Sequence, residues 1–120
     1  MSEYKLGVVE AQFADIVWSH APIRAGKLVE LCQQILNWKR TTTYTVLKKF
    51  TDRGLFRMEN GVVTVLVSRE AYYAAQSHRF VEESFKGSLP AFIAAFTQRQ
   101  KLSQEEVNEI YRMIEAAREE

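Results

Sequence analysis

The chain has 120 residues, 47% of them hydrophobic and 26% charged, with a formal net charge of +1, enough for one domain or one domain with a small appendage. Its longest apolar run, Val62-Val63-Thr64-Val65-Leu66-Val67, falls far short of the roughly 20 residues that cross a bilayer, and residues 1–5 lack the basic-then-apolar opening of a secretion signal. No membrane insertion is therefore expected, and because the single Cys32 cannot form an internal disulfide, a reducing cytoplasm is the expected location.

Val9, Phe13, Ile16 and Val17 fall on one stripe at helical spacing and predict a first helix over residues 6–19, ended by Ala21-Pro22. Leu28, Leu31, Cys32 and Ile35 repeat the pattern over 24–36, with Asn37 closing the helix. Its start is weakly signalled, because Arg24 stands where a Ser or Thr cap is expected. A third helix spans 41–53, with Thr43, Val46, Leu47 and Phe50 facing inward and Gly54 suited to the left-handed position after its end. The period then drops to about two. Residues 55–58 and 62–67 read as strands around Glu59-Asn60-Gly61, and Asn60-Gly61 matches a type I′ hairpin turn, which needs two positive φ angles.

Ser68 opens a long helix over 69–86 that carries Tyr73, Phe80 and Phe85 and ends at Gly87. Ser88 caps a short helix over 89–97 with Leu89, Phe92, Ile93 and Phe96, and Pro90 sits in its first turn, where proline is tolerated. Ser103-Gln104-Glu105-Glu106 is a capping box that starts a last helix with Val107, Ile110, Tyr111 and Ile114 on one face. The expected fold is mainly α with a small antiparallel β-hairpin. Residues 1–68 form a winged helix-turn-helix, its second and third helices joined by a tight linker near Trp38, and residues 69–120 form a helical dimerisation region.

Charge is unevenly spread. Residues 24–69 hold nine basic side chains against three acidic ones, a net of +6, while residues 78–120 are net −2. A basic front half points to a polyanion partner. The third helix fits that partner. Lys39-Arg40-Thr41-Thr42-Thr43-Tyr44-Thr45 sacrifices helix propensity, whereas an exposed helix usually prefers Ala, Glu, Lys or Gln. With one face locked inward, Thr41, Thr42, Tyr44, Thr45 and Lys48 are left to face out or sideways. Thr hydroxyls and methyls can read base edges, and Lys39, Arg40, Lys48 and Lys49 suit phosphates at the groove edge. These residues are therefore expected to contact double-stranded DNA. The hairpin tip is poor in cations, so its expected role is first to stabilise the domain and second to offer Arg57 to a phosphate.

The tail helices carry more apolar face than one short chain can cover. Tyr73, Phe80, Phe85, Leu89, Phe92, Ile93, Phe96, Val107, Ile110, Tyr111 and Ile114 are expected to form the core of a homodimer. A small-effector pocket among these aromatics is the alternative, as is a winged helix used only for protein interaction. His20 and His78 lie outside any metal-ligand spacing, Cys32 sits on an apolar stripe, and no glycine-rich phosphate loop is present, so neither enzymatic activity, metal nor cofactor is expected.

The ordered set of "IVW" closing the first helix, "WKRTTTYTVLKKFTDRGL" and the tail "SREAYYAAQSHRFVEESFKGSLPAFIAAF…LSQEEVNEIYRMIE" resembles the BlaI/MecI/CopY family of penicillinase-repressor-type transcriptional regulators over nearly the whole chain. The resemblance implies a homodimeric repressor on inverted-repeat operators, often with TACA/TGTA half-sites, controlling resistance or metal-homeostasis genes. It implies that Thr41, Thr42, Tyr44, Thr45, Lys48 and Lys49 lie at or near DNA. In the family's β-lactam branch it implies a membrane sensor metalloprotease as partner and repressor cleavage, at a bond matching Ala95-Phe96 here. The chain departs from the family where Thr43 replaces a Val or Ile, where the wing lacks an Arg-x-Tyr pattern, where no Asn precedes the matching bond, and where the tail lacks the paired cysteines of the copper branch.

Overall fold

A computed structural model of the protein describes residues 6–119; residues 1–5, which lack the opening of a secretion signal, lie outside the described residues. The elements follow in the order α1 (Val8–His20), β1 (Ile23–Arg24), α2 (Ala25–Leu36), α3 (Arg40–Asp52), β2 (Phe56–Glu59), β3 (Val62–Val65), α4 (Arg69–Phe85), α5 (Leu89–Arg99) and α6 (Gln104–Ala116). Mainly helical with a small antiparallel sheet, this is the fold class the sequence predicts. No described helix is long and apolar enough to cross a membrane.

Local signals set the ends. Asn37 takes the left-handed conformation at φ 58° after α2, and Trp38 N–H reaches back to the Cys32 carbonyl at 3.2 Å. Gly54, at φ +82°, follows α3, and Leu55 N–H bonds the Phe50 carbonyl at 3.1 Å. Ser68, Ser88 and Ser103 each accept a backbone N–H at the start of α4, α5 and α6, and Glu106 returns the bond to Ser103 N–H at 3.0 Å, completing the capping box. Asn60 and Gly61 have φ of 54° and 76°, the geometry of a type I′ turn. Glu59 belongs to β2, so the turn has two residues.

The sheet has three strands, in the order β1-β3-β2, all antiparallel. The sequence reading contained no β1. Ile23 pairs with Val63 and Arg24 with Val62, so the segment between α1 and α2 closes the open edge of the hairpin. This also explains the weak start of α2. Arg24 is its N-cap and makes no side-chain cap bond, while Ala25 N–H is satisfied across the sheet by the Gly61 carbonyl at 2.9 Å.

The chain divides into two compact units, one running through Ser77 and the other from His78 onward. The first has an aromatic core. Phe13, Phe50 and Phe56 are fully buried, with Phe50 stacked on Phe56 at 5.2 Å and Phe13 stacked on Trp38 at 5.6 Å. The hairpin ends the winged-helix segment in the sequence reading, but the first turns of α4 also pack with this unit. Trp18 donates its indole N–H to the Val67 carbonyl at 2.9 Å and meets Tyr72 and Tyr73, while Arg69 lies over the Trp18 ring and binds Asp15 through Nε at 3.0 Å.

Two inward assignments are corrected. Val9 is 49% exposed and Ile35 58% exposed. The buried face of α2 is Ala25, Leu28, Val29 and Cys32, a stripe rotated away from Ile35, because β1 as well as α1 and α3 must be covered. Val9 lies in the first turn of α1, one turn before the buried Phe13, Ala14, Ile16 and Val17.

In the second unit, described by itself, Phe80, Phe85 and Phe92 meet edge to face at 5.6–5.9 Å, and Phe96 leans on Phe92 at 6.3 Å. No described residue of this unit is fully buried.

Candidate nucleic-acid interface

The third helix is fixed from inside by Thr43, Leu47 and Phe50, all within 3% of complete burial. These positions stand four and three residues apart and form one stripe. Val46 is half-buried at its margin. The Thr43 hydroxyl is the polar atom this burial must satisfy. It donates to the Lys39 carbonyl at 3.3 Å. Burial pushes the Cys32 thiol up from its ordinary value, and the Thr43 hydroxyl partly offsets that shift. The buried Thr43 hydroxyl thus has a partner.

The opposite face holds the predicted set. Thr41, Thr42, Thr45, Lys48 and Lys49 are exposed, as are Lys39 and Arg40. Tyr44 is half-buried, and the Arg40 guanidinium lies 5.3 Å from its ring centre, a cation–π contact that holds both side chains at one end of the helix. Lys39 is the N-cap without a side-chain cap bond, and the first turn contains no acid. Two cations therefore stand at the positive end of a helix dipole, an arrangement that disfavours the isolated helix and favours an incoming anion. Lys48 bonds Asp52 at 3.0 Å, with side chains 75% and 65% exposed. A pair so open to water holds Lys48 only weakly.

The sheet carries a second group of cations. Cross-strand neighbours share a face, so Ile23, Val63 and Met58 form one row and Arg24, Val62 and Glu59 the next. Ile23, Val63 and Phe56 are buried. Arg24 and Arg57 consequently share the outer face with Val62, Thr64 and Glu59. The sequence reading placed Arg57 at the wing but missed Arg24, which lies far earlier in the chain, ahead of α2 (its only signal was that it displaced an N-cap residue). Among the described residues, no group of three or more His, Cys, Asp or Glu could hold a metal ion.

The residues expected at a dimer interface fall into both units. Tyr73 belongs to the first, where it packs on Trp18 and Tyr72. In the second, Leu89, Phe92, Ile93, Phe96, Ile110 and Ile114, with Thr97 and Leu102, line an open groove of about 290 Å³ between α5 and α6. Phe80, Leu89, Ile93, Phe96, Tyr111 and Ile114 remain 42–66% exposed, while Phe85, Phe92, Val107 and Ile110 are half-buried. Ala95-Phe96 lies inside α5.

A helix-turn-helix over α2 and α3, closed by a three-stranded wing and followed by helices, defines a winged-helix protein of the regulator type. The chain belongs to the penicillinase-repressor family, whose model matches residues 6–116. It is similar to the penicillinase repressor of Bacillus licheniformis, 26% identical over 110 residues that cover 88% of this chain and 86% of that protein. It is also similar to the methicillin resistance regulatory protein MecI of Staphylococcus aureus strain Mu50, 22% identical over 115 residues covering 92% and 94%. MecI of Mammaliicoccus sciuri is 21% identical over the same length.

Proposed function

We propose that the protein is a cytoplasmic transcriptional repressor that binds an inverted-repeat operator as a homodimer, inserting α3 of each protomer into the major groove. The observation that carries this reading is the division of α3 into two faces: Thr43, Leu47 and Phe50 buried, and a Thr-rich, cationic face exposed around an N-terminus with no acid. Its weak helix propensity has no local benefit, and contact with bases and phosphates supplies one. The names of the relatives support control of antibiotic-resistance genes.

The homodimer rests on the tail. A groove lined by apolar side chains, Thr97 apart, offers few groups to orient a small effector, which usually needs several placed polar contacts in a larger pocket. A second copy's helix matches it better. Relief by a membrane sensor metalloprotease at Ala95-Phe96 completes the reading. Because that bond is helical, cleavage requires α5 to open first.

The test is gel retardation of the full chain on a duplex selected from a randomised pool, at two salt concentrations. Binding should fall steeply with salt. Lys48→Ala and Thr45→Ala should each weaken it. Unchanged retention by both variants would remove α3 from the interface.

A further inference from the structure

We propose that Arg24, carried on β1 and not on the hairpin, is a phosphate-binding residue of the wing, acting beside Arg57 on the duplex backbone that flanks the groove entered by α3. The inference deepens the reading above and rests on it.

Strand pairing puts the side chain there. Arg24 is directly opposite Val62, and Arg57 is opposite Thr64, so both guanidinium groups rise from the outer face of the sheet while Ile23, Val63 and Phe56 fill the inner face. The backbone of Arg24 is tied to the hairpin tip, since the next N–H, that of Ala25, donates to the Gly61 carbonyl at 2.9 Å. The side chain then leans over the tip: a Cβ added to Gly61 would stand 3.8 Å from Arg24 Nη1. Gly61, held at φ +76°, thus leaves room beside a cation at the end of the wing.

The charges of this face are uncommitted. Among the described residues, neither Arg24 nor Arg57 forms an ion pair, and Glu59, the one acid of the face, forms none either. Arg24 occupies the N-cap of α2 without capping it. Ser, Thr, Asp or Asn at that position would stabilise the helix, so the cation is kept at a local disadvantage. A fixed polyanion offsets that disadvantage, because a guanidinium binds a phosphate through two parallel hydrogen bonds. Such a contact positions the protein and does not read sequence.

The experiment uses the full chain with Arg24→Ser, Arg24→Lys and Lys48→Ala, on a duplex selected by the unaltered chain from a randomised pool, titrated over a salt series. The slope of log affinity against log salt should fall by about 1.8 per dimer in Arg24→Ser, about 0.9 for each phosphate released. Arg24→Lys should keep that slope. Arg24→Ser should also melt a few degrees higher, because serine caps α2, which separates the loss of binding from any loss of folding. Affinity for an unselected duplex should drop by the same factor as for the selected one. An unchanged slope in Arg24→Ser, with Lys48→Ala still weakened, overturns the inference and leaves the repressor reading standing. A loss confined to the selected duplex assigns Arg24 to a base and overturns it as well. Failure of the unaltered chain to select any duplex removes the reading beneath it.

Discussion

The ion pair between Lys48 and Asp52 places an acid on the face of α3 that is proposed to meet DNA, and its removal makes a signed prediction. Asp52→Asn keeps the shape of the side chain and frees Lys48, now 3.0 Å from the carboxylate. An exposed pair one helical turn apart is worth about 0.3–0.5 kcal/mol, and a competing phosphate must displace it in each protomer. For a dimer the gain is about 0.6–1 kcal/mol, or about 3- to 5-fold in affinity. Stability should barely move. The lost pair is offset because Asp52 is the last residue of α3, where a negative charge opposes the helix dipole by about 0.3–1 kcal/mol. Fluorescence anisotropy on a labelled duplex measures the affinity, and Glu115→Gln supplies the control: it removes the same charge from α6, where Glu115 pairs with Arg118 just beyond the helix end. The gain should be largest at low salt and shrink as the pair is screened. Equal gains in the two variants would reduce the effect to net charge, and no gain in Asp52→Asn would mean that Lys48 faces away from the duplex.

Phe50→Ala empties a fully buried site stacked on Phe56 and should cost about 3–5 kcal/mol, read as a lower urea midpoint; a loss under 1 kcal/mol would contradict the core described above. Ile110→Asp puts a charge in the α5–α6 groove, so sedimentation should shift from twice 13.9 kDa toward 13.9 kDa with a parallel fall in operator affinity; a variant that stays dimeric moves the interface elsewhere. Cys32 is fully buried with its thiol pushed up, so less thiolate is present at a given pH; a thiol reagent at mildly alkaline pH should label the native chain slowly and the urea-unfolded chain at once, whereas equal rates would place the thiol at the surface.

Much of the architecture was legible because it depends on neighbours in sequence. Helical spacing located α1, α2 and α3, Asn60-Gly61 located the hairpin, and Ser103 with Glu106 located the start of α6. What escaped depended on distant partners. β1 is two residues long, too short for any period, and exists because β3 offers it an edge. Its absence from the sequence reading hid both Arg24 at the wing and the satisfied N–H of Ala25. The same omission rotated α2: Leu28, Leu31, Cys32 and Ile35 and Ala25, Leu28, Val29 and Cys32 are both valid stripes, and only the added strand selects the second. The exposed face of α3 was legible by subtraction, once Thr43, Leu47 and Phe50 had been assigned inward.

The tail carries the argument from one chain to two. Holding a residue in one backbone conformation costs about 1–2 kcal/mol, so helices persist only when their apolar faces leave water. α5 and α6 contain no buried residue, and α4 contains only Tyr72, which packs with the first unit. Capping at Ser88 and Ser103 contributes about 1 kcal/mol at each site, far too little to hold these helices alone. In the proposed homodimer a second copy would supply the missing burial at Leu89, Ile93, Phe96 and Ile114. Folding of the tail and pairing of the protomers then become one equilibrium. Opening α5, whether by cleavage at Ala95-Phe96 or by a charge in the groove, would separate two α3 helices that bind strongly only while joined, because each then loses the high effective concentration the other provides. In that scheme the switch lies in the tail, and each winged-helix unit can stay folded while the operator is released.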